Sequence, residues 1–176
     1  SVEDRLLKLQ LRLAQLEKQE SCRENFLDFV GTMWPDFISG RHHRIIAEKL
    51  ERVARGELKR LIINMAPRHT KSEFASFLFP AWMMGKNPSM KIIQATHTTE
   101  LAVNFGRKTK NLIDSDEFKT VFPEVKLAAD SKASGRWDTS RGGMYYAVGV
   151  GSNLAGRGGD LVIIDDPHSE QTAMSN

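Results

Sequence analysis

The sequence has little cysteine and no long hydrophobic run. Cys22 is the single cysteine among 176 residues, which excludes a disulfide within the chain and suits a reducing compartment. No apolar run approaches the roughly 20 residues that a membrane span needs, and no signal-peptide pattern opens the chain. A net charge of +3 is mildly basic and permits a nucleic-acid partner without requiring one. These features argue against a secreted disulfide scaffold and against a membrane-spanning protein.

The composition is that of one globular domain. Hydrophobic residues make up 40% of the chain and charged residues 27%, and the length leaves room for a hydrophobic core. Apolar runs typical of strands alternate with helical patterns, which predicts an α/β fold with a mainly parallel sheet flanked by helices. We divide the chain into an N-terminal amphipathic helix, residues 1–20, and an α/β domain, residues 21–176.

Apolar residues recur along the first segment at alternating spacings of four and three. They are Val2, Leu6, Leu9, Leu13 and Leu16. This heptad-like stripe predicts an amphipathic helix. It spans little more than two heptads, so a helix packed on its own domain and a partner-binding helix both remain open. Ser21 and Glu24 form the pattern of a capping box, which predicts a second helix that ends at Trp34-Pro35.

The segment from residue 60 to residue 73 carries the clearest chemical motif. Leu61-Ile62-Ile63 is typical of a buried strand, Pro67 opens a turn, and Lys71 and Ser72 begin a helical pattern. A strand, a phosphate-sized loop, Lys-Ser and a helix are the parts of a nucleotide-binding P-loop. Amides at a helix N-terminus point at an anion, the Lys neutralises phosphate charge, and the Ser hydroxyl ligates Mg²⁺.

Two positions depart from the P-loop pattern G-x-x-x-x-G-K-[ST]. Met65 and Thr70 stand where the pattern has glycines, which normally let the backbone curl around a phosphate. A strand–turn–helix corner with no ligand is therefore the alternative interpretation.

A second motif lies near residue 165. Leu161-Val162-Ile163-Ile164 is typical of a buried parallel strand, and Asp165 and Asp166 follow it directly. Active-site groups in such sheets gather at the carboxyl ends of strands. This is the Walker B pattern, in which Asp165 holds Mg²⁺ and Asp166 activates the attacking water. The alternative is a strand that ends in an Asp turn before Pro167.

Several basic residues have side chains suited to binding phosphate. Arg68 lies inside the loop, and Arg157 lies between Gly156 and Gly158, where a mobile guanidinium can reach a γ-phosphate. The run from Arg41 to Arg44 precedes a predicted helix and is interpreted either as a cradle for a base or phosphate or as a solvated helix start. Its paired histidines have no Cys or carboxylate at ligand spacing, so a metal site is not expected there.

The remaining elements are predicted from periodicity and turn residues. They are helices at Ile45–Arg55, at Phe74–Met84 with a break at Pro80, from Thr98 or Thr99 to Ile113, and at Asp116–Val121, a strand at Lys91–His97, and a hairpin of Arg136–Thr139 with Met144–Val150.

At these motifs the chain resembles the large terminase subunit of tailed bacteriophages, the ATPase of the DNA-packaging motor. The resemblance rests on residues 40–44, 66–73, 156–158 and 163–167. It implies a P-loop NTPase of the ASCE type that binds ATP and Mg²⁺ and works as a homo-oligomeric ring, a pentamer. It also implies double-stranded viral DNA, the portal protein and the small terminase subunit as partners, and a location in the host cytoplasm with transient docking on the procapsid.

The resemblance also implies roles for individual residues. Lys71, Ser72 and the loop before them would bind ATP, with Arg41 and His42 on the adenine side, and Ser72 and Asp165 would hold the metal. The loop residues concerned are Pro67, Arg68, His69 and Thr70. Asp166 would activate water, with Glu170 as the second candidate, and Arg157 would be an arginine finger offered to a neighbouring subunit.

Three interpretations of function stay open. The first is a DNA-translocating ATPase, the second another P-loop DNA-dependent ATPase such as a helicase, and the third a catalytically silent assembly module. The nuclease domain of terminases is not in this sequence. In the ASCE arrangement that the resemblance implies, an additional strand that follows Walker B in sequence lies between the two motif strands. Almost nothing follows Walker B in these 176 residues, so two buried strand edges would lack a partner. We therefore expect the 176 residues to be weakly stable and nearly inactive alone.

Overall fold

The computed structural model describes residues 1–66, 70–152 and 156–168, and it is an α/β fold with a four-stranded mixed sheet flanked by helices. The helices are α1 (Val2–Glu24), α2 (Phe26–Met33), α3 (Arg41–Ala54), α4 (Phe79–Lys86), α5 (Thr99–Ile113) and α6 (Asp116–Val121), with a π-helical segment at Glu73–Leu78. The strands are β1 (Lys91–Thr96), β2 (Arg136–Asp138), β3 (Met144–Gly149) and β4 (Leu161–Ile164).

The strand order is β2-β3-β1-β4. β1 runs parallel to β3, with Ile93 beside Tyr146, and parallel to β4, with Gln94 beside Ile163. β2 pairs antiparallel with β3, as expected for a hairpin. The carboxyl ends of three parallel strands therefore meet at one edge of the sheet, where α/β proteins place their sites. The predicted α/β sheet flanked by helices and the predicted hairpin are confirmed, and the assignment to the P-loop NTPases stays a prediction.

A cluster of buried aromatic rings joins the N-terminal helices to the helices beside the sheet. Its largest members are Phe26, Phe29, Phe74, Trp82, Phe118 and Phe122. The Trp82 indole donates a hydrogen bond of 2.8 Å to the backbone oxygen of Cys22, which fixes the last turn of α1 on this core. Burying each large apolar side chain stabilises the fold by about 1.5–3 kcal/mol.

A second buried pair supports the β2–β3 side of the sheet. Trp137 and Tyr145 stack with ring centroids 5.0 Å apart, and the Trp137 indole donates to the backbone oxygen of Gly106 in α5 at 3.2 Å. Burial raises the pKa of the Tyr145 hydroxyl, so the phenol stays neutral. α5 is thereby held tightly against β2 and β3.

The predicted strand at Leu61–Ile63 is wrong. This segment is extended but belongs to no strand of the described sheet, and the Ile62 side chain is 84% exposed. Leu61 and Ile63 pack on the hydrophobic core, and the segment borders a groove against α3. A strand needs a neighbour for its ladder of hydrogen bonds, and the segment has none in the described part of the chain.

The capping box predicted at Ser21 is also wrong. α1 continues through Ser21 to Glu24, and the Ser21 hydroxyl donates to the Asp28 carboxylate instead. The next helix begins at Phe26, where the Asn25 side chain accepts from the Asp28 backbone N–H at 2.9 Å. Asn is as good a cap as Ser. The N-terminal helix therefore ends four residues later than residue 20.

The other helix predictions are largely confirmed. α5 is capped by Thr98, whose side chain accepts from the Leu101 N–H at 3.2 Å, and α6 has the predicted bounds. The predicted break at Pro80 appears as a change from the π-helical segment to α4, with Pro80 in the first turn of α4. α3 begins earlier than predicted, so Arg41 to Arg44 form its first turn.

Candidate functional site

The candidate site lies at the carboxyl ends of β1 and β4. Asp165 directly follows β4, and its backbone N–H donates to the Ala95 oxygen at 2.9 Å. Side chains alternate along a strand, so Asp165 shares the face of Ile163, which packs on the core. The Asp165 side chain is 8% exposed and accepts a hydrogen bond of 2.6 Å from the Ser76 hydroxyl. A nearly buried carboxylate is thus held by the helical segment that begins at Lys71.

The Thr70 backbone adopts a conformation that is rare for threonine. Its φ is +62°, in the left-handed region, at the position where the P-loop pattern has its second glycine. A β-branched residue is strained there, so contacts must hold it in place. The Thr70 backbone oxygen accepts from the Phe74 N–H at 3.0 Å, and the Thr70 hydroxyl lies 2.7 Å from His43 Nε2.

His43 connects the start of α3 to this strained residue. The Gly40 N–H donates to His43 Nδ1 at 2.8 Å, so Nδ1 is unprotonated and the neutral ring carries its proton on Nε2. Nε2–H therefore donates to the Thr70 hydroxyl. The ring is 7% exposed and packs between Phe37 and Phe74, with centroids 4.7 and 5.1 Å away. His43 thus links the basic run Arg41–Arg44 to the loop.

Lys71 and Ser72 occupy the first positions of the helical segment that continues into the π-helix, and both are half-buried. The predicted helix start is confirmed. A helix N-terminus presents unpaired amides and a partial positive charge. Together with the Lys71 ammonium this is a favourable place for an anion.

His42 and Arg41 occupy the first turn of α3. The His42 ring lies against the His43 ring at an angle of 42°, with centroids 3.8 Å apart. His42 and Lys49 also line a shallow groove whose other wall is the extended segment 61–65. Arg41 is exposed and is not among the residues that line the groove. The groove therefore lies between the start of α3 and the segment that leads into the loop.

Arg157 lies on the other face of the sheet. Its guanidinium sits 4.0 Å from the centroid of the Tyr146 ring. Tyr146 pairs with Ile93, so both side chains lie on one face of the sheet. Asp165 lies on the opposite face, with Gln94 and Ile163. The structure therefore does not bring Arg157 to Asp165 of its own chain.

Asp166 has a φ of +46° and an exposed carboxylate. Its backbone oxygen accepts from the His97 backbone N–H at 3.2 Å and lies 3.0 Å from His97 Nδ1. These two contacts tie the end of β4 to the end of β1. The turn directs the Asp166 side chain to solvent while Asp165 stays buried.

Sequence reasoning missed two buried polar residues near Asp165. Ser76 is 1% exposed and bonds the Asp165 carboxylate. Gln94 is fully buried on the same face of the sheet, and among the described residues neither atom of its amide has a hydrogen-bond partner. A polar residue inside an otherwise apolar strand is the sequence feature that signals Gln94. No sequence pattern marks Ser76 as a residue near the site.

Four of the predicted site residues lie outside the described residues: Pro67, Arg68, His69 and Glu170. Within the described ranges, no group of three or more His, Cys, Asp or Glu side chains is arranged to hold a metal ion. No helix of the described chain has both the length and the apolarity needed to cross a membrane.

The chain was also compared with known proteins. No protein-family model, no curated protein and no solved structure matches it. The family suggested by the sequence motifs therefore stays a prediction.

Proposed function

We propose that the chain is a Mg²⁺-dependent ATPase. The observation that carries the proposal is the 2.6 Å hydrogen bond between Ser76 and Asp165. It joins the helical segment that starts at Lys71 to the end of β4, so the elements that carry the two sequence motifs are in contact. This contact supports the proposal, since in P-loop NTPases the P-loop Ser and the Walker B Asp hold the same Mg²⁺.

The side chains at this joint suit the phosphates of a nucleotide. Lys71 and the amides of the helix start would bind the phosphate oxygens. Ser72 and Asp165 would hold the metal, since hydroxyl and carboxylate oxygens are the ligands that Mg²⁺ prefers. When bound, Mg²⁺ neutralises the charge that develops on the transferred phosphoryl group. The strained backbone of Thr70 supports this assignment, because strain of this kind clusters at ligand-binding sites.

Asp166 would orient and deprotonate the attacking water. Its exposed carboxylate is open to a ligand at the edge of the sheet. Glu170 is the second candidate for this role. Arg157, on the opposite face, would act on a neighbouring subunit in a ring rather than on its own site.

We further propose that this ATPase drives DNA packaging as part of a large terminase subunit. The support is the set of motifs shared with that family, from the basic run at Arg41–Arg44 to Asp165-Asp166-Pro167. The substrate of the motor would be double-stranded viral DNA, and the portal protein, the small terminase subunit and further copies in a ring would be its partners. Its place would be the host cytoplasm, with transient docking on the procapsid.

A nucleotide-binding assay tests the ATPase proposal directly. Titration with a fluorescent ATP analogue, with Mg²⁺ and with EDTA, should show metal-dependent binding. Lys71→Ala should weaken the binding at least tenfold, and Asp165→Asn should remove the Mg²⁺ dependence. Lys126→Ala is the matched control, since Lys126 is an exposed lysine away from the site. Equal binding by the Lys71→Ala and Lys126→Ala variants would contradict the proposal.

Packaging and unwinding assays separate the motor from the helicase alternative. The full-length protein with procapsids should move duplex DNA in an ATP-dependent way, and Lys71→Ala should abolish this movement. Strand separation of duplex DNA by the same protein would favour a helicase instead.

A further inference from the structure

The N-terminal three quarters of α1 extend away from the rest of the described chain. All residues from 1 to 18 are exposed. The anchor lies further on, where the Gln19 amide donates to the Thr120 oxygen at 2.6 Å and Cys22 is buried beneath Trp82. At 1.5 Å per residue the projecting part is about 27 Å long. Most helical stability in proteins comes from packing of an apolar face, and this part of α1 packs on nothing in the described chain. A partner on its apolar side would therefore stabilise it.

The projecting part carries an apolar seam with the spacing of a coiled coil. The residues of the seam are Val2, Leu6, Leu9, Leu13 and Leu16, and their exposed fractions range from 44% to 80%. Alternating steps of three and four residues keep such positions on one side of a helix. Two further leucines, Leu7 and Leu11, are similarly exposed but lie on the opposite side, since each residue advances by about 100°.

The charges beside the seam identify the partner. In the heptad, Leu6 and Leu13 take position a, and Val2, Leu9 and Leu16 take position d. The flank that follows the d positions holds Glu3, Gln10 and Glu17, and the flank that precedes the a positions holds Arg5, Arg12 and Gln19. One flank is therefore acidic and the other basic.

Only one orientation of two identical helices makes these flanks complementary. In a parallel pair the basic flank of one helix faces the acidic flank of the other, so Arg12 meets Glu17 of the second copy. In an antiparallel pair each flank would face itself, with Arg against Arg and Glu against Glu. Like charges across such a contact are unfavourable.

We propose that α1 pairs with α1 of a second copy of this chain, as a parallel, in-register two-stranded coiled coil over residues 2–17. The seam is short, so association is weak and depends on concentration. Packing of Gln19 and Cys22 on the domain limits the coil at its C-terminal end. This contact is independent of the proposed ATPase activity, because it involves no residue of the candidate site.

Sedimentation of the whole chain over a range of concentrations tests the pairing. We expect a reversible dimer, and at least a tenfold rise in its dissociation constant for the double variant Leu9→Glu, Leu13→Glu. The matched control is Leu7→Glu, Leu11→Glu, which puts the same charges on the opposite side of the helix and should leave dimerisation unchanged. Circular dichroism of each variant verifies folding. The proposal would be overturned if the wild-type protein is a monomer at all concentrations or forms a trimer. It would also be overturned if the two double variants weaken dimerisation equally.

Charge exchange and cross-linking test the orientation. Arg12→Glu should weaken the dimer, because it places a second carboxylate opposite Glu17 of the other copy, and adding Glu17→Arg should restore it. Val2→Cys should form an intermolecular disulfide on mild oxidation, since in-register parallel helices bring the two cysteines together. An antiparallel pair would keep them about 20 Å apart, at 1.5 Å per residue. No rescue by Glu17→Arg, or no cross-link in a sample that is dimeric, would overturn the parallel arrangement.

Discussion

Ser76 and Asp165 are 89 residues apart in sequence, and a hydrogen bond of 2.6 Å between their side chains joins the helical segment after the loop to the end of β4. Both side chains are almost completely buried. Asp165 is therefore positioned by two contacts, its own backbone N–H on Ala95 and the hydroxyl of Ser76. The Ser76 hydroxyl therefore fixes the carboxylate on the helical segment that begins with Lys71 and Ser72.

Ser76→Ala and Ser72→Ala should therefore have different effects. Loss of the Ser76 hydroxyl leaves a buried carboxylate short of a partner and should lower the free energy of unfolding by about 1–3 kcal/mol. Ser72→Ala should leave stability within about 0.5 kcal/mol of the wild type but raise the Mg²⁺ concentration needed for ATP binding. Urea unfolding and Mg²⁺ titration measure the two effects. If Ser76→Ala is as stable as the wild type, the hydrogen bond contributes nothing.

Substitutions at Thr70 test the strained loop. Thr70→Gly should preserve nucleotide binding, since glycine adopts a positive φ without penalty. Both Thr70→Gly and Thr70→Val lose the hydroxyl that accepts from His43, but only valine keeps a β-branched side chain at the positive φ. We therefore expect the Val variant to be less stable than the Gly variant by about 1–3 kcal/mol. Thermal unfolding ranks the two, and a more stable Val variant would show that the backbone of residue 70 is not constrained.

Asp166→Asn should bind ATP normally and stop its hydrolysis, because an amide cannot accept the proton of the water. The comparison is Glu170→Gln, which removes the second candidate carboxylate. Binding titrations and steady-state phosphate release on the full-length protein distinguish the two variants. Retained turnover in Asp166→Asn together with lost turnover in Glu170→Gln would move the role to Glu170.

Arg157 rests on the Tyr146 ring, on the face of the sheet away from Asp165. We therefore expect it to act in trans. Mixtures of Arg157→Ala and Asp166→Asn subunits should regain activity, because an intact Arg157 can meet an intact Asp166 in mixed rings. An arginine finger contributes about three to five orders of magnitude in rate in phosphoryl transfer, so partial rescue is measurable. Absence of rescue at every ratio, with mixed assembly verified by mass, would contradict action in trans.

Two glycines in helices provide a matched pair for packing. A Cβ at Gly106 in α5 would come within 2.5 Å of the Ser134 backbone oxygen and 3.0 Å of the Tyr145 ring, whereas a Cβ at Gly31 in α2 would meet nothing within 4 Å. Gly106→Ala should therefore destabilise the protein by about 1–3 kcal/mol. Gly31→Ala should stabilise it by about 0.5–1 kcal/mol, because alanine favours the helix. Denaturant midpoints measure both, and equal shifts would argue against the close approach of α5 to residue 134.

Local patterns are sufficient for most elements. β1, β4 and α5 are predictable because a short apolar run or a helical period, with a cap such as Thr98, specifies them without distant contacts. Leu61–Ile63 has the same apolar character as β4. It is nevertheless not a strand, because a strand exists only when another strand pairs with it. The failure at Ser21 has a different origin, since the core around Cys22 and Trp82 keeps α1 helical past a competing cap.

The contacts that build the candidate site are not predictable from spacing. The hydrogen bonds from His43 to Thr70 and from Ser76 to Asp165 join residues 27 and 89 positions apart. The motifs identify Lys71, Ser72, Asp165 and Asp166 by residue type. Which neighbours hold them depends on how α3 and the π-helical segment pack, and no local pattern encodes that packing.

The π-helical segment changes how sequence positions map onto the faces of this helix. Over Glu73–Leu78 the backbone closes its hydrogen bonds across five residues, as from the Phe79 N–H to the Phe74 oxygen, instead of four. The chain therefore uses about one extra residue on this turn. Relative to a continuous α-helix extended backwards from α4, Lys71 and Ser72 are rotated by about 100° around the axis. A helical wheel drawn through this region assigns them to the wrong side, and deletion of a single residue such as Ala75 would rotate Lys71 and Ser72 by about 100° relative to α4 without changing either side chain.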